Sequence, residues 1–447
     1  MQPHQTDLDT DRQPPLSIPF AHFVSGGVLL IVGGGVAGLG PLLLPIRASS
    51  AGTIHLLLAG WIGLTIMGAM TQFVPVWSGT ALHSRRLSIA SLWLVLGGVG
   101  GLVTVFYTAS YGLAFVPATV LLAGFWTFAY NIVRSLPPVS TLDITEGHFL
   151  FSLSSLVLGT GLGWVLVTDL GYHYLPTTGP ISIHGLLMAH LTLTIFGFVT
   201  ATIVGALVQL APMFTQSEST RLDSHLLHVE MVSLPTGVWV LALGRLLGNG
   251  TLGRLGSVLV LSGIAFAAIF LLRGLHGARV ELDPLLRRYW IVGVSMLAWA
   301  ALTAPVWFAD PLGHFARFGS ARATHLLFVG VFVFTIVGTF YHVVPFIIWY
   351  HSYSDRLGYE RVPMMDDLYW DRLARIEFVA MVAGLVILVL GELLGLPTWT
   401  QFLGGNLLGA GVLVFAANMA LVVKRHRPET IREVGSIMVG HGVADTS

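Results

Sequence analysis

The chain contains no cysteine among its 447 residues. That excludes disulfides, thiolate-ligated metal and the Cys-x-x-Cys-His attachment of a covalent haem. Charge is almost as scarce: Asp, Glu, Lys and Arg make up 10% of the chain, against about a quarter in a soluble domain. The 22 basic and 22 acidic residues cancel, so nothing marks a nucleic acid or another polyanion as a partner. Residues 1–16, MQPHQTDLDTDRQPPL, hold no apolar run. They read as a disordered cytoplasmic N-terminus and not as a cleavable signal peptide. What is abundant is apolar: 54% of residues are hydrophobic and the mean hydropathy is +0.80. Such a chain belongs in a lipid bilayer.

Twelve apolar stretches are each long enough to cross one, about 20 residues apiece. They lie near 21–45, 53–76, 87–109, 112–134, 148–169, 184–213, 226–247, 253–273, 287–308, 323–350, 376–396 and 401–423. Lipid offers backbone groups no partner, so the spans are helices and the expected fold is all-α and polytopic, a membrane domain over residues 17–424. Gly33 to Gly35, and Gly97, Gly98, Gly100 and Gly101, are places where helices can approach closely. Seventeen of the 22 Lys and Arg fall on the side that holds both termini and five on the other. By the positive-inside rule both termini are cytoplasmic and the protein sits in the plasma membrane. Residues 351–373 then form a cytoplasmic loop, read as a solvated connector. The polar tail, 425–447, is cytoplasmic and expected to be disordered beyond Arg427.

One stretch is written twice and then paraphrased. His55 to Pro75 reads HLLLAGWIGLTIMGAMTQFVP, and His325 to Pro345 reads HLLFVGVFVFTIVGTFYHVVP. A third stretch repeats Gly197, Thr202, Ile203, Gly205 and Gln209 at the same distances before Pro212, with Thr192 at the histidine register and His190 two residues earlier. These repeats centre on 53–76, 184–213 and 323–350, the second, sixth and tenth spans. They imply three four-helix units related by an approximate threefold axis. In that topology His55, His190 and His325 lie near the outer face and the three prolines near the inner face.

A histidine inside a membrane is costly unless it is paired, wet or ligating. His22, His148, His225, His228 and His342 read as interfacial side chains reaching water. His55 and His325 share one register and one depth, which leaves two readings: paired structural histidines, or axial ligands of a haem iron. On the second reading Gly60 and Gly330, five residues further along, leave room for a flat ring. Met67, Met70, Met188 and Met213 read as core packing before they read as a copper path.

The repeated motif resembles the tenth helix of subunit I in the haem–copper oxidase superfamily, above all its cbb-type branch. The residues that carry the likeness are His55, Gly60, Trp61, Gly63, Gly68, Ala69, Val74 and Pro75, then His325, Gly330, Gly338, Tyr341, His342, Val344 and Pro345. The stretch from Trp77 to Trp93 is similar to that family's connection between helices two and three. The resemblance implies twelve helices in three arcs and a low-spin haem b held by His55 and His325. It also implies that the position of the high-spin haem ligand is taken by Ala323. His190, with His184 the lesser candidate, matches the copper ligand of helix six. The paired helix-seven ligands have no counterpart, and no tyrosine follows His184 in the sixth span. The pattern is also similar to the haem- and copper-containing membrane proteins linked to nitrosative stress.

Two functions therefore stand open. One is a b-type haem protein, an oxidoreductase of electron transport or a handler of nitric oxide or another small gas. It would be served by an electron-donor protein or a quinol, and is not expected to be a complete oxygen reductase. The other is a transporter or copper carrier that uses the same histidines. Parallel repeats favour the first, because carriers are often built from inverted ones.

Overall fold

The structure, a computed structural model, describes residues 14–43 and 50–439. The expected disorder of the extreme N-terminus falls on residues 1–13, outside the described residues, as do the last eight residues of the tail. Among the described residues there is no β-strand, and the one isolated bridge joins Leu357 and Glu360. Among the described residues twelve helices are long and apolar enough to cross a membrane. The chain is an all-α, multi-pass membrane protein in contact with lipid.

The spans are Ser17–Leu43, Ala51–Ser78, Arg85–Thr108, Phe115–Val133, Ile144–Tyr172, Ile183–Thr215, Arg221–Leu247, Gly250–His276, Pro284–Ala309, Leu326–Arg356, Asp371–Leu394 and Thr398–His426. Each falls within a few residues of its expected place, because apolar length alone delimits a membrane helix. Their ends are set by local chemistry. Asp143 and Thr220 cap the fifth and seventh spans in reciprocal boxes with Glu146 and Asp223, satisfying backbone N–H groups that a helix start leaves free. Gly248 and Gly395 stop the seventh and eleventh spans in the left-handed conformation, which glycine adopts without steric cost.

The chain divides into two compact units, Met1–Tyr174 with Arg432–Ser447, and Leu175–Ile431. Within the first, spans three and four form a close hairpin; within the second, spans seven and eight and spans eleven and twelve do the same. These are the third and fourth helices of each four-span repeat. Glycine is what makes the hairpins close. A Cβ on Gly98 would lie 2.5 Å from the Leu121 backbone, and one on Gly256 would lie 2.3 Å from the Leu241 nitrogen. Gly101 meets Pro117 in the same way, whereas Gly97 and Gly100 face open space.

The tail departs from expectation. Residues Pro428–Met438 form a helix, with Thr430, Val434 and Ile437 buried. The spacing of four and three places them on one face of a helix. The polar average of the segment had concealed that stripe.

Candidate functional site

The three repeated spans share a local distortion. Each opens into a π-helical stretch: His55–Ile62, Thr192–Thr200 and Leu326–Val333. The first two begin at the same register of the repeat and the third one residue later. In each the backbone closes on a carbonyl five residues back, Gly63 on Leu58, Ala201 on Phe196 and Phe334 on Val329. π-Turns are rare and tend to mark functional positions, since a wide turn shifts every later side chain around the axis. This feature was invisible to residue counting, although the repeat itself pointed to the place.

His55 and His325 stand at the mouths of the first and third of these stretches, both half-buried. In the first unit, the His55 Nδ1–H donates to the Ala51 carbonyl at 2.7 Å, and its ring lies 5.2 Å from that of Phe106. In the second unit, His325 Nδ1 is in ion-pair contact with Glu392 Oε1 at 2.9 Å. Distance is within hydrogen-bond reach there, but alignment is not made, and Glu392 Oε2 is buried without a partner among the described residues. The Ala51 bond holds the His55 Nδ1–H as a donor and leaves the lone pair on Nε2, the arrangement that an imidazole ligand of a metal needs. On His325 the Glu392 carboxylate lies beside Nδ1 without an aligned hydrogen bond; taken one at a time, each is an imidazole of the type a haem iron accepts.

The glycines do a different job from the one expected of them. A Cβ on Gly60 would meet Leu29 at 2.7 Å, and one on Gly330 would meet Ser295 Oγ at 2.3 Å. The space beside each is taken by a neighbouring span, so these glycines seat helices on that face.

At the second repeat the histidine register is Thr192, and a buried arginine occupies it. Arg245, at the end of the seventh span, is 2% exposed. Its Nη1 donates to Thr192 Oγ1 at 2.8 Å and to the Arg317 carbonyl at 3.3 Å. Its Nε donates to the Pro311 carbonyl at 3.0 Å, and Nη2 to the Ala316 carbonyl at 3.1 Å. Trp307 adds a ring face 5.2 Å from the guanidinium and an Nε1–H to the same Ala316 carbonyl. The Trp299 Nε1–H donates to the Phe318 carbonyl at 3.0 Å. The loop of residues 310–320 is therefore tied down by side-chain donors along its length.

The two alternative candidates for a copper ligand, His184 and His190, have different surroundings. The His184 Nε2–H donates to the Leu312 carbonyl at 2.9 Å, and its ring lies 6.0 Å from that of His314. Arg317 Nη1 donates to His314 Nε2 at 3.2 Å. His190 is half-buried and lies two turns further along the sixth span. Among the described residues no three His, Asp or Glu side chains are grouped to hold a metal ion.

Two of the histidines expected to reach water do not. His22 and His148 are fully buried. Each bonds through Nδ1 to the carbonyl four residues back, Ile18 at 2.9 Å and Ile144 at 2.8 Å. That bond lets an imidazole stay inside, and sequence spacing does not reveal it. His342 packs between Phe214, 4.3 Å away, and Phe346. His225 and His228 are exposed as expected. Met67, Met70 and Met188 are core residues; Met213 is half exposed.

At the other end of the second unit lies a buried ion pair of Arg288 and Glu377, with Tyr341 under the guanidinium at 4.6 Å. Asn418 links it to the loop, donating to the Tyr341 hydroxyl at 3.3 Å and accepting from the Trp370 N–H at 3.1 Å. Beside it in the loop, burial and then the charges of Asp367 and Asp371 push the Asp366 carboxyl above its ordinary value. Asp283 is raised by burial and by Asp366. The bonds between Asn418 and Trp370 hold the end of the 351–373 loop against the twelfth span. Compared with known families and with curated proteins, the chain matches no family model and no curated protein.

Proposed function

We propose that the protein is an integral membrane b-type cytochrome related to subunit I of the haem–copper oxidases, with His55 and His325 as its axial ligands. The observation that carries the reading is their equivalence. Two imidazoles stand at one register of a repeated helix, each at the mouth of a π-helical stretch and each with an oxygen close to Nδ1, the Ala51 carbonyl for His55 and the Glu392 carboxylate for His325. A bis-imidazole haem supplies reversible one-electron transfer. His55 is oriented by the Ala51 carbonyl, His325 has the Glu392 carboxylate beside its Nδ1, and the same register of the second repeat holds Thr192 bonded to Arg245.

Electron transfer, supplied by a donor protein or a quinol at the plasma membrane, is favoured over gas handling. If His55 and His325 both held one haem iron, no position on it would be left open to a gas. Ala323 stands where the family has its high-spin ligand, so rapid dioxygen reduction is not expected. The carrier reading keeps the same histidines but needs no colour. Protein purified from haem-replete cells tests the choice. A reduced-minus-oxidised spectrum of low-spin b type supports the cytochrome. Colourless protein that binds copper stoichiometrically overturns it.

A further inference from the structure

Glu392 is an acidic side chain beside a candidate ligand, and its surroundings are unusual. It lies on the eleventh span, 17% exposed, with Oε1 2.9 Å from His325 Nδ1. Its other oxygen is buried and unpartnered among the described residues. A carboxylate in that setting costs several kcal/mol unless positive charge stands close by. A neutral imidazole offers only a dipole. An imidazole that carries a metal cation on Nε2 offers a strongly polarised Nδ1–H, and its positive charge offsets the burial.

We propose that Glu392 is a positioning residue that sets the donor strength of His325 toward the iron. This rests on the cytochrome reading above. A carboxylate on Nδ1 pulls the ring proton toward itself and makes Nε2 the better donor, as in carboxylate–histidine–metal triads. His55 has only the neutral Ala51 carbonyl on its Nδ1. On this reading His325 would be the stronger donor of the two, favouring the ferric state of a bound haem, and Glu392 would hold its potential down.

The test compares the holoprotein with its E392Q and E392D variants by spectrum and by redox titration of the haem. The glutamine keeps the size of the side chain and removes its charge. E392Q should retain the six-coordinate spectrum and shift the ferric-to-ferrous balance at fixed ambient potential toward ferrous by roughly tenfold. That is an upward shift of about 59 mV for a one-electron couple. E392D keeps the charge with a shorter reach and should fall between, which guards against an E392Q variant that fails to fold. A haem-loaded E392Q with the wild-type potential would reduce Glu392 to a structural contact and overturn the proposal while leaving the cytochrome in place. A wild-type protein without haem would overturn both, and it is read from the first spectrum.

Discussion

Replacing Arg245 by alanine is the most severe single change available at the Thr192 register. The side chain makes four hydrogen bonds, and its loss is felt unequally by the acceptors. Ala316 keeps Trp307 Nε1, and Thr192 keeps its own bond to the Met188 carbonyl. The Pro311 and Arg317 carbonyls lose the partner that Arg245 gave them. One buried and one part-buried carbonyl at about 1–3 kcal/mol each, with the Trp307 ring contact at about 0.5–2 kcal/mol, give a destabilisation of about 2.5–8 kcal/mol. The loop of residues 310–320 should bear most of it. Thermal unfolding in detergent, followed by tryptophan fluorescence, reads the global loss. Limited proteolysis at the exposed Phe315 and at Arg317 reads the local one. R245K should recover only part of the stability, because an ammonium cannot span the same acceptors as a planar fork. An R245A protein with wild-type unfolding and an uncut loop would refute the clamp.

Two further outcomes follow from the same coordinates. G330A should destabilise the tenth span, since its Cβ would fall 2.3 Å from Ser295 Oγ and 2.6 Å from Ser295 Cβ; S295G in the same chain removes both atoms and should restore the thermal midpoint. For Asp366, a carboxyl raised in the folded state stabilises the fold below its ordinary value, and that contribution is lost as pH rises through the folded value. D366N should therefore be the more stable protein at neutral pH, and the wild type should close the gap as pH falls into the carboxylate range. A gap in thermal midpoint that does not change with pH would contradict this.

The spans were legible because their signal is length and apolarity, which tertiary packing does not alter. The repeat was legible because it is a pattern of identities, and it led to His55 and His325. What stayed hidden has physical causes. A π-turn leaves no residue signature of its own. The buried state of His22 and His148 depends on a bond to the carbonyl one turn back, available to any helical histidine. The loss of space beside Gly60 and Gly330 depends on Leu29 and Ser295, which come from other spans. Glu392 stood out in the sequence only as an acid near a helix end. Its partner, His325, lies 67 residues away in the chain.

The most direct measurement is the absorbance spectrum of purified wild-type, H325A and H342A proteins, each oxidised and then reduced. His342 lies on the same helix as His325, further along and stacked on phenylalanines, so it controls for the loss of an imidazole as such. The expected result is a six-coordinate b-type spectrum in the wild type and in H342A, and its loss in H325A. A spectrum unchanged in H325A would remove His325 from the iron and with it the haem assignment.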